Sequence, residues 1–320
     1  MFTRILRFLL RFALRALIAV AVLAALGLGW LRLESHQSQT AYMDQRHGQL
    51  ADASIQAEDA GTARENLSVT LTSDSGLSLF LRVLRDGRDD GPRPVLMILG
   101  GHRTGRDAVD LFRAPGEYAV VALDYPYQGR ERVRGAAQVI ETLPKARQAF
   151  RDTPPAVSLA LDWLGQQDWA SRQIVLVGAS LGVPFAAKAA ARDERISGVL
   201  LVHGAADNER WLTLQVARRV EQAWLHRPLG VLLHWMAYGP TFDTAKNIAA
   251  VAPRPVLVIG AREDERTPPD EVEALFAAAG QPKRLRWTEG LHIEPDRTEV
   301  LDQMMAIAAE ELPFLLAPAP

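Results

Sequence analysis

A mostly parallel α/β sheet preceded by an antiparallel hairpin is the fold class predicted by this sequence of 320 residues. Three observations predict it. Two segments of alternating polarity flank a turn near residue 75, continuous apolar runs bounded by Gly and Pro follow, and helical stretches separate those runs.

The hairpin comes first. Leu67 to Thr72 alternates with period two, Ser73 to Gly76 has turn composition, and Leu77 to Leu84 alternates again. The apolar runs are Pro94–Leu99, Tyr118–Leu123, Gln173–Val177, Ile196–Val202 and Pro255–Ile259. Unbroken runs of this length suit strands buried on both faces of a parallel sheet. Stretches such as Ala156–Leu164 and Pro184–Arg192 are helical in pattern, so helices are expected on both faces of the sheet. After Ile196–Val202, the sixth strand in this reading, residues 207–246 form a helical insertion. It is rich in Trp211, Trp224, Trp235, Met236 and Tyr238. The folded body is therefore expected over residues 65–316.

Composition narrows the chemistry. With 48% apolar and 23% charged residues the chain is neither disordered nor low-complexity. Five of the 36 basic residues and none of the 38 acidic ones fall within the first 33 positions, so the remainder is net −7. An acidic body without a dense Lys/Arg run argues against nucleic acid. The absence of cysteine excludes disulfides, thiolate metal sites and a cysteine nucleophile.

The first 33 residues have their own pattern. Arg4, Arg7, Arg11 and Arg15 share one helical face and precede the charge-free stretch Ala16–Leu31. Sixteen residues of helix span about 24 Å, and Arg15 and Arg32 can snorkel to bridge the remaining hydrocarbon. A cleaved signal peptide has the same basic and apolar regions. It should end in a small-x-small site, whereas this run ends in Gly27, Leu28, Gly29, Trp30 and Leu31. Residues 1–33 are therefore expected to be an uncleaved single-pass anchor. The basic flank keeps the N-terminus cytoplasmic and puts the body on the far, periplasmic or extracellular, side; cleavage would instead release it there. Residues 34–64 are expected to be a polar linker.

The motif that carries chemistry is Gly178-Ala179-Ser180-Leu181-Gly182, between the strand Gln173–Val177 and the helix opening at Pro184. A strained turn in that context presents Ser180 at a helix N-terminus, with the N–H of Leu181 directed at a developing oxyanion and Gly178 and Gly182 permitting close approach. A serine nucleophile needs a base, and the base an orienting acid. Downstream, Asp264-Glu265-Arg266-Thr267-Pro268 follows one strand run and Gly290-Leu291-His292 follows a shorter one.

These three motifs, in this order, resemble the α/β-hydrolases over about residues 67–312, along their serine-esterase, dienelactone-hydrolase-like or serine-peptidase-like branches. The resemblance implies Ser180 as nucleophile, His292 as general base and then acid, and Asp264 as the orienting acid. Asp207 is the rival acid, at a position some hydrolases use; His203 reads as a packing residue. The second oxyanion donor falls in the glycine-rich stretch after Leu99, at Gly101 or His102. In this family an insertion such as 207–246 often covers the site. No cofactor and no metal are expected. The substrate is expected to be a carboxylic ester of a small or medium apolar acyl group, cleaved through an acyl-serine, with an amide or peptide as the alternative and a non-catalytic binding protein on the same fold as the reading of another class.

Overall fold

The computed structural model describes residues 2–58, 64–87, 91–101, 104–112, 116–130 and 132–317. Among the described residues nine strands form one sheet: β1 (Leu50–Ala57), β2 (Arg64–Ser73), β3 (Ser78–Asp86), β4 (Arg93–Leu99), β5 (Ala119–Leu123), β6 (Ala170–Ala179), β7 (Gly198–Val202), β8 (Val256–Ala261) and β9 (Lys283–Thr288). Their spatial order is β1-β2-β3-β5-β4-β6-β7-β8-β9. The first three strands and the β3–β5 pair run antiparallel, and all pairs from β5 through β9 are parallel. The expected hairpin is β2–β3, turned at Gly76 with φ of 76°.

Alternation within the buried strands builds two cores. In β4, Val95, Met97 and Leu99 face one apolar cluster while Leu96 and Ile98 face the other. The first cluster is covered by α3 (Gly135–Leu164), α4 (Gly182–Arg192), α7 (Thr244–Ala249) and α8 (Pro269–Ala278). The second is covered by a 3₁₀ turn (Gly105–Leu111) and by α9 (Thr298–Leu315). Helix α3 is longer than its pattern suggests because Pro144, Pro154 and Pro155 lie inside it. Proline disrupts one local hydrogen bond each time, and packing on the sheet carries the helix through.

The linker expected over residues 34–64 is corrected for residues 34–58, which are folded onto the sheet; residues 59–63 lie outside the described residues. The folded segment contains α2 (Thr40–His47) and β1, an edge strand on β2. Met43 is fully buried in the main core, and Arg46 pairs with the buried Asp152 at 3.1 Å. The outer strand is almost wholly exposed, so its residues lack the apolar alternation that marks a strand in sequence. The insertion folds as α5 (Asn208–Ala217) and α6 (Ala223–Met236), leading into α7.

Helix α1 (Phe2–His36) precedes all of this. Its stretch Leu9–His36, with mean hydropathy 2.2, is long and apolar enough to span a membrane or to be a signal sequence. Its most apolar window is wholly exposed on the protein.

Candidate active site

Four parallel strands, β6 to β9, deliver the site from their carboxyl ends. Ser180 directly follows β6 with φ of 52°, a left-handed conformation that costs a non-glycine residue energy and that the surrounding contacts impose. A Cβ on Gly182 would lie 2.1 Å from the carbonyl oxygen of Leu99, and one on Gly178 would lie 2.6 Å from Cβ of Ala186. Only glycine fits either place. The strand and helix therefore close tightly around the serine.

The three residues expected from the motifs meet. His292 Nε2 lies 2.7 Å from Ser180 Oγ. Its Nδ1 is 2.8 and 3.0 Å from the two carboxylate oxygens of Asp264. His292 and the Asp264 side chain are buried, and Ser180 is half-buried. Asp264 Oδ1 also accepts the N–H groups of Arg266 and Thr267, both at 2.8 Å, so its carboxylate is fixed before it meets the ring. The arrangement can take a proton from a serine hydroxyl and hold an imidazolium beside a carboxylate.

Asp207 is elsewhere and does other work. It caps α5, accepting the N–H groups of Glu209 and Arg210 at 2.9 and 3.0 Å.

On the oxyanion side, Leu181 caps α4, so its N–H stands among the unpaired donors of a first helical turn. Gly101 is adjacent to the serine: a Cβ there would sit 3.8 Å from Ser180 Cβ. The hydroxyl of the half-buried Tyr125 donates to Gly100 O at 2.8 Å and steadies that turn. His102 lies outside the described residues.

Three residues to which the motifs assign no role also contact His292 or its flanking backbone. Glu265 accepts its backbone N–H at 2.9 Å, and Arg297 donates to its carbonyl oxygen at 2.6 Å while pairing with Glu265 at 3.0 Å. Burial raises the pKa of Glu265, yet the N–H of His292 and the Arg297 charge outweigh it and hold it at about 2. The third is His203, at the end of β7, between the strands that carry Ser180 and Asp264. It is fully buried with φ of 53°. Its Nδ1 accepts the N–H of Ile293 at 2.8 Å, and its ring packs edge-on against His292 with centroids 5.5 Å apart. Burial drives its pKa down to about 4, against the pull of Asp264 3.4 Å away. What it packs against is His292, whose other ring nitrogen lies within hydrogen-bond reach of Ser180. No local motif gives any of the three a role, because each contacts the backbone of His292 or Ile293.

Among the described residues, His203, Asp264 and His292 are the one group whose donor atoms lie close enough to share a metal ion. The donors are already committed: His203 Nδ1 to Ile293, His292 Nδ1 to Asp264 and His292 Nε2 to Ser180. A cation would have to break these bonds, so the group does not fit one.

Ser180 borders two apolar cavities. One, of about 440 Å³, lies between the sheet and α9 and is lined by Ile98, Leu200, Leu301, Met304 and Gly101. The other, of about 220 Å³, lies under the insertion and is lined by Leu143, Phe150, Leu181, Trp211, Leu233 and Met236. The insertion thus walls the site with Trp211 and Met236. Trp224 is 75% exposed and takes no part.

This is the fold of the α/β-hydrolases. No protein-family model matches the sequence, and no curated protein is recognisably similar to it. Solved structures with the same fold include acetyl xylan esterase 1 from Thermoanaerobacterium sp., 16% identical with a TM-score of 0.60 over 84% of this chain and 92% of that one. An acetyl xylan esterase from Paenibacillus sp. R4 is 15% identical, with a TM-score of 0.63 over 86% and 95% of the two chains. A cold-adapted esterase from an Arctic intertidal metagenomic library is 14% identical, with a TM-score of 0.53 over 81% and 99%.

Proposed function

We propose that the protein is a membrane-anchored serine hydrolase that cleaves carboxylic esters with small or medium apolar acyl groups. The observation that carries the reading is the unbroken chain from Ser180 Oγ through His292 to Asp264, at 2.7 and 2.8 Å, on a strained elbow. In the first step His292 Nε2 takes the serine proton as Oγ attacks the ester carbonyl. The oxyanion is met by the N–H groups of Leu181 and Gly101, and the imidazolium is held by Asp264. His292 then gives its proton to the departing alkoxide, leaving an acyl-serine. Water, deprotonated by the same ring, attacks the acyl carbon and frees the acid and Ser180.

The apolar lining of both cavities supports an uncharged substrate, and the esterases among the similar folds support an ester over an amide. The Arg-rich start of α1 and its exposed apolar stretch support an anchor with the hydrolase body outside the cytoplasm. A fluorophosphonate probe should label the full-length protein and fail to label Ser180→Ala. A panel of p-nitrophenyl esters and anilides should then show turnover of the esters; turnover confined to anilides would make the protein an amidase. Full-length protein should float with vesicles and resist alkaline wash, and a new N-terminus near Trp30 would establish a cleaved signal peptide instead.

A further inference from the structure

We infer that the 220 Å³ cavity beneath the insertion is loaded from the lipid bilayer, so that the substrate is an ester with a hydrocarbon arm resident in the membrane. This rests on the anchored-esterase reading above and names the substrate class of that same site.

The anchor does not end in a loose tether. Its last turn is seated on the wall of the cavity. Glu34 accepts the Tyr238 hydroxyl at 2.9 Å and pairs with Arg147 at 2.8 Å. Arg147 in turn donates to the carbonyl of Met236 at 3.0 Å, and both Arg147 and Met236 line the cavity beside Ser180. Ser35 is fully buried, and the Arg32 guanidinium lies over the Trp235 ring, 5.9 Å from its centroid. A bilayer holding α1 ends at Arg32, so its surface reaches α6 at Trp235.

Helix α6 has two apolar faces. Leu233, itself 39% exposed, and Met236 line the cavity. Trp224, Val231 and Trp235, spaced by seven and four residues, share another side. A helix on a water-facing surface carries polar residues on its outer side, yet Trp224 is 75% exposed. Early α3 repeats the pattern: Ile140 is 73% and Val139 49% exposed, and Leu143 one turn later lines the cavity. Arg130, Arg134 and Arg227 stand near these residues in sequence, Arg130 paired with Glu141 at 3.4 Å; aromatic and basic side chains together settle at a membrane interface. The continuity of this face with the seat of α1 makes the bilayer its cover. A hydrocarbon arm leaving the bilayer between α3 and α6 then reaches Ser180 without crossing water.

The test uses full-length protein in phosphatidylethanolamine/phosphatidylglycerol vesicles, with a long-chain 4-methylumbelliferyl ester dissolved in the bilayer and p-nitrophenyl acetate in the water. Trp224→Asp and Ile140→Asp place charges on exposed positions where folding does not depend on them. Both should lower turnover of the vesicle-borne ester about tenfold and leave acetate turnover within twofold. Equal loss on both substrates, or no loss on either, overturns the inference. So does a dimer that the substitutions dissociate while vesicle-borne turnover persists, since a second copy would then be the cover. Failure of the parent protein to float with vesicles would strike the anchor reading, and absence of Ser180-dependent acetate turnover the esterase reading.

Discussion

Glu265 accepts the backbone N–H of His292 at 2.9 Å while its neighbour Asp264 accepts from the ring of the same residue at 2.8 Å. One strand-end turn thus holds the imidazole by its ring and by its main chain. Arg297 closes the clamp by bonding both the His292 carbonyl and Glu265. Glu265 touches no reacting atom, so it is a positioning residue. Glu265→Gln should keep KM and lower kcat about tenfold, because a small displacement of the base reduces the fraction of reactive geometries. Equal kcat in the parent and Glu265→Gln, measured on a short p-nitrophenyl ester, would remove the clamp from the mechanism.

Asp264 bonds the ring of His292, whereas Asp207 caps α5. Asp264→Asn should cost roughly 10²- to 10⁴-fold in kcat, because the imidazole loses its orienting carboxylate. Asp207→Ala should leave kcat within a few-fold and lower stability by about 1 kcal/mol through the lost helix cap. Kinetics and thermal melts on the two variants check both halves.

Burial lowers the pKa of His203 from the ordinary 6.5 to about 4. The unfolded chain therefore takes up a proton near pH 6.5 that the folded protein refuses until about pH 4. Stability from this group is complete above pH 6.5 and declines as pH falls to about 4, by about 3 kcal/mol at most. Glu265, held at about 2, adds a further loss as pH falls below its ordinary value of 4.5. The melting temperature should therefore start to fall near pH 6.5 on acidification. His203→Gln can still accept from Ile293 and should flatten the decline between pH 6.5 and 4; an unchanged slope would assign it to other groups.

Chain-length preference should follow the cavity under the insertion. Each methylene buried there contributes about 0.8 kcal/mol, roughly fourfold in kcat/KM. The p-nitrophenyl series should rise from acetate towards butyrate or hexanoate before the cavity fills. Ala146, on α3, lines that cavity. Ala146→Phe should shift the optimum back to acetate, whereas Trp224→Ala should leave the soluble series unchanged. A parent series without slope would place the acyl group in the larger cavity.

What the sequence determined by itself was local. The elbow around Ser180, the turn holding Asp264 and the Gly290-Leu291-His292 step are each written in a few adjacent residues, because strand-to-helix turns demand particular glycines, prolines and short side chains. The buried strands were equally legible, since burial on both faces leaves continuous apolar runs. The edge strand β1 was not, because an exposed strand on a sheet border needs no apolar alternation. Helix α3 was only partly legible, because its prolines interrupt the pattern without ending the helix. The tertiary structure alone decided which distant groups contact His292 and what surrounds the serine. His203 lies 89 residues from His292, and Glu34 lies 204 from Tyr238. Such pairs leave no spacing to read: their partners are chosen by the order of strands in the sheet and by the fold of the insertion, which bring together side chains whose own neighbours in sequence say nothing of the contact.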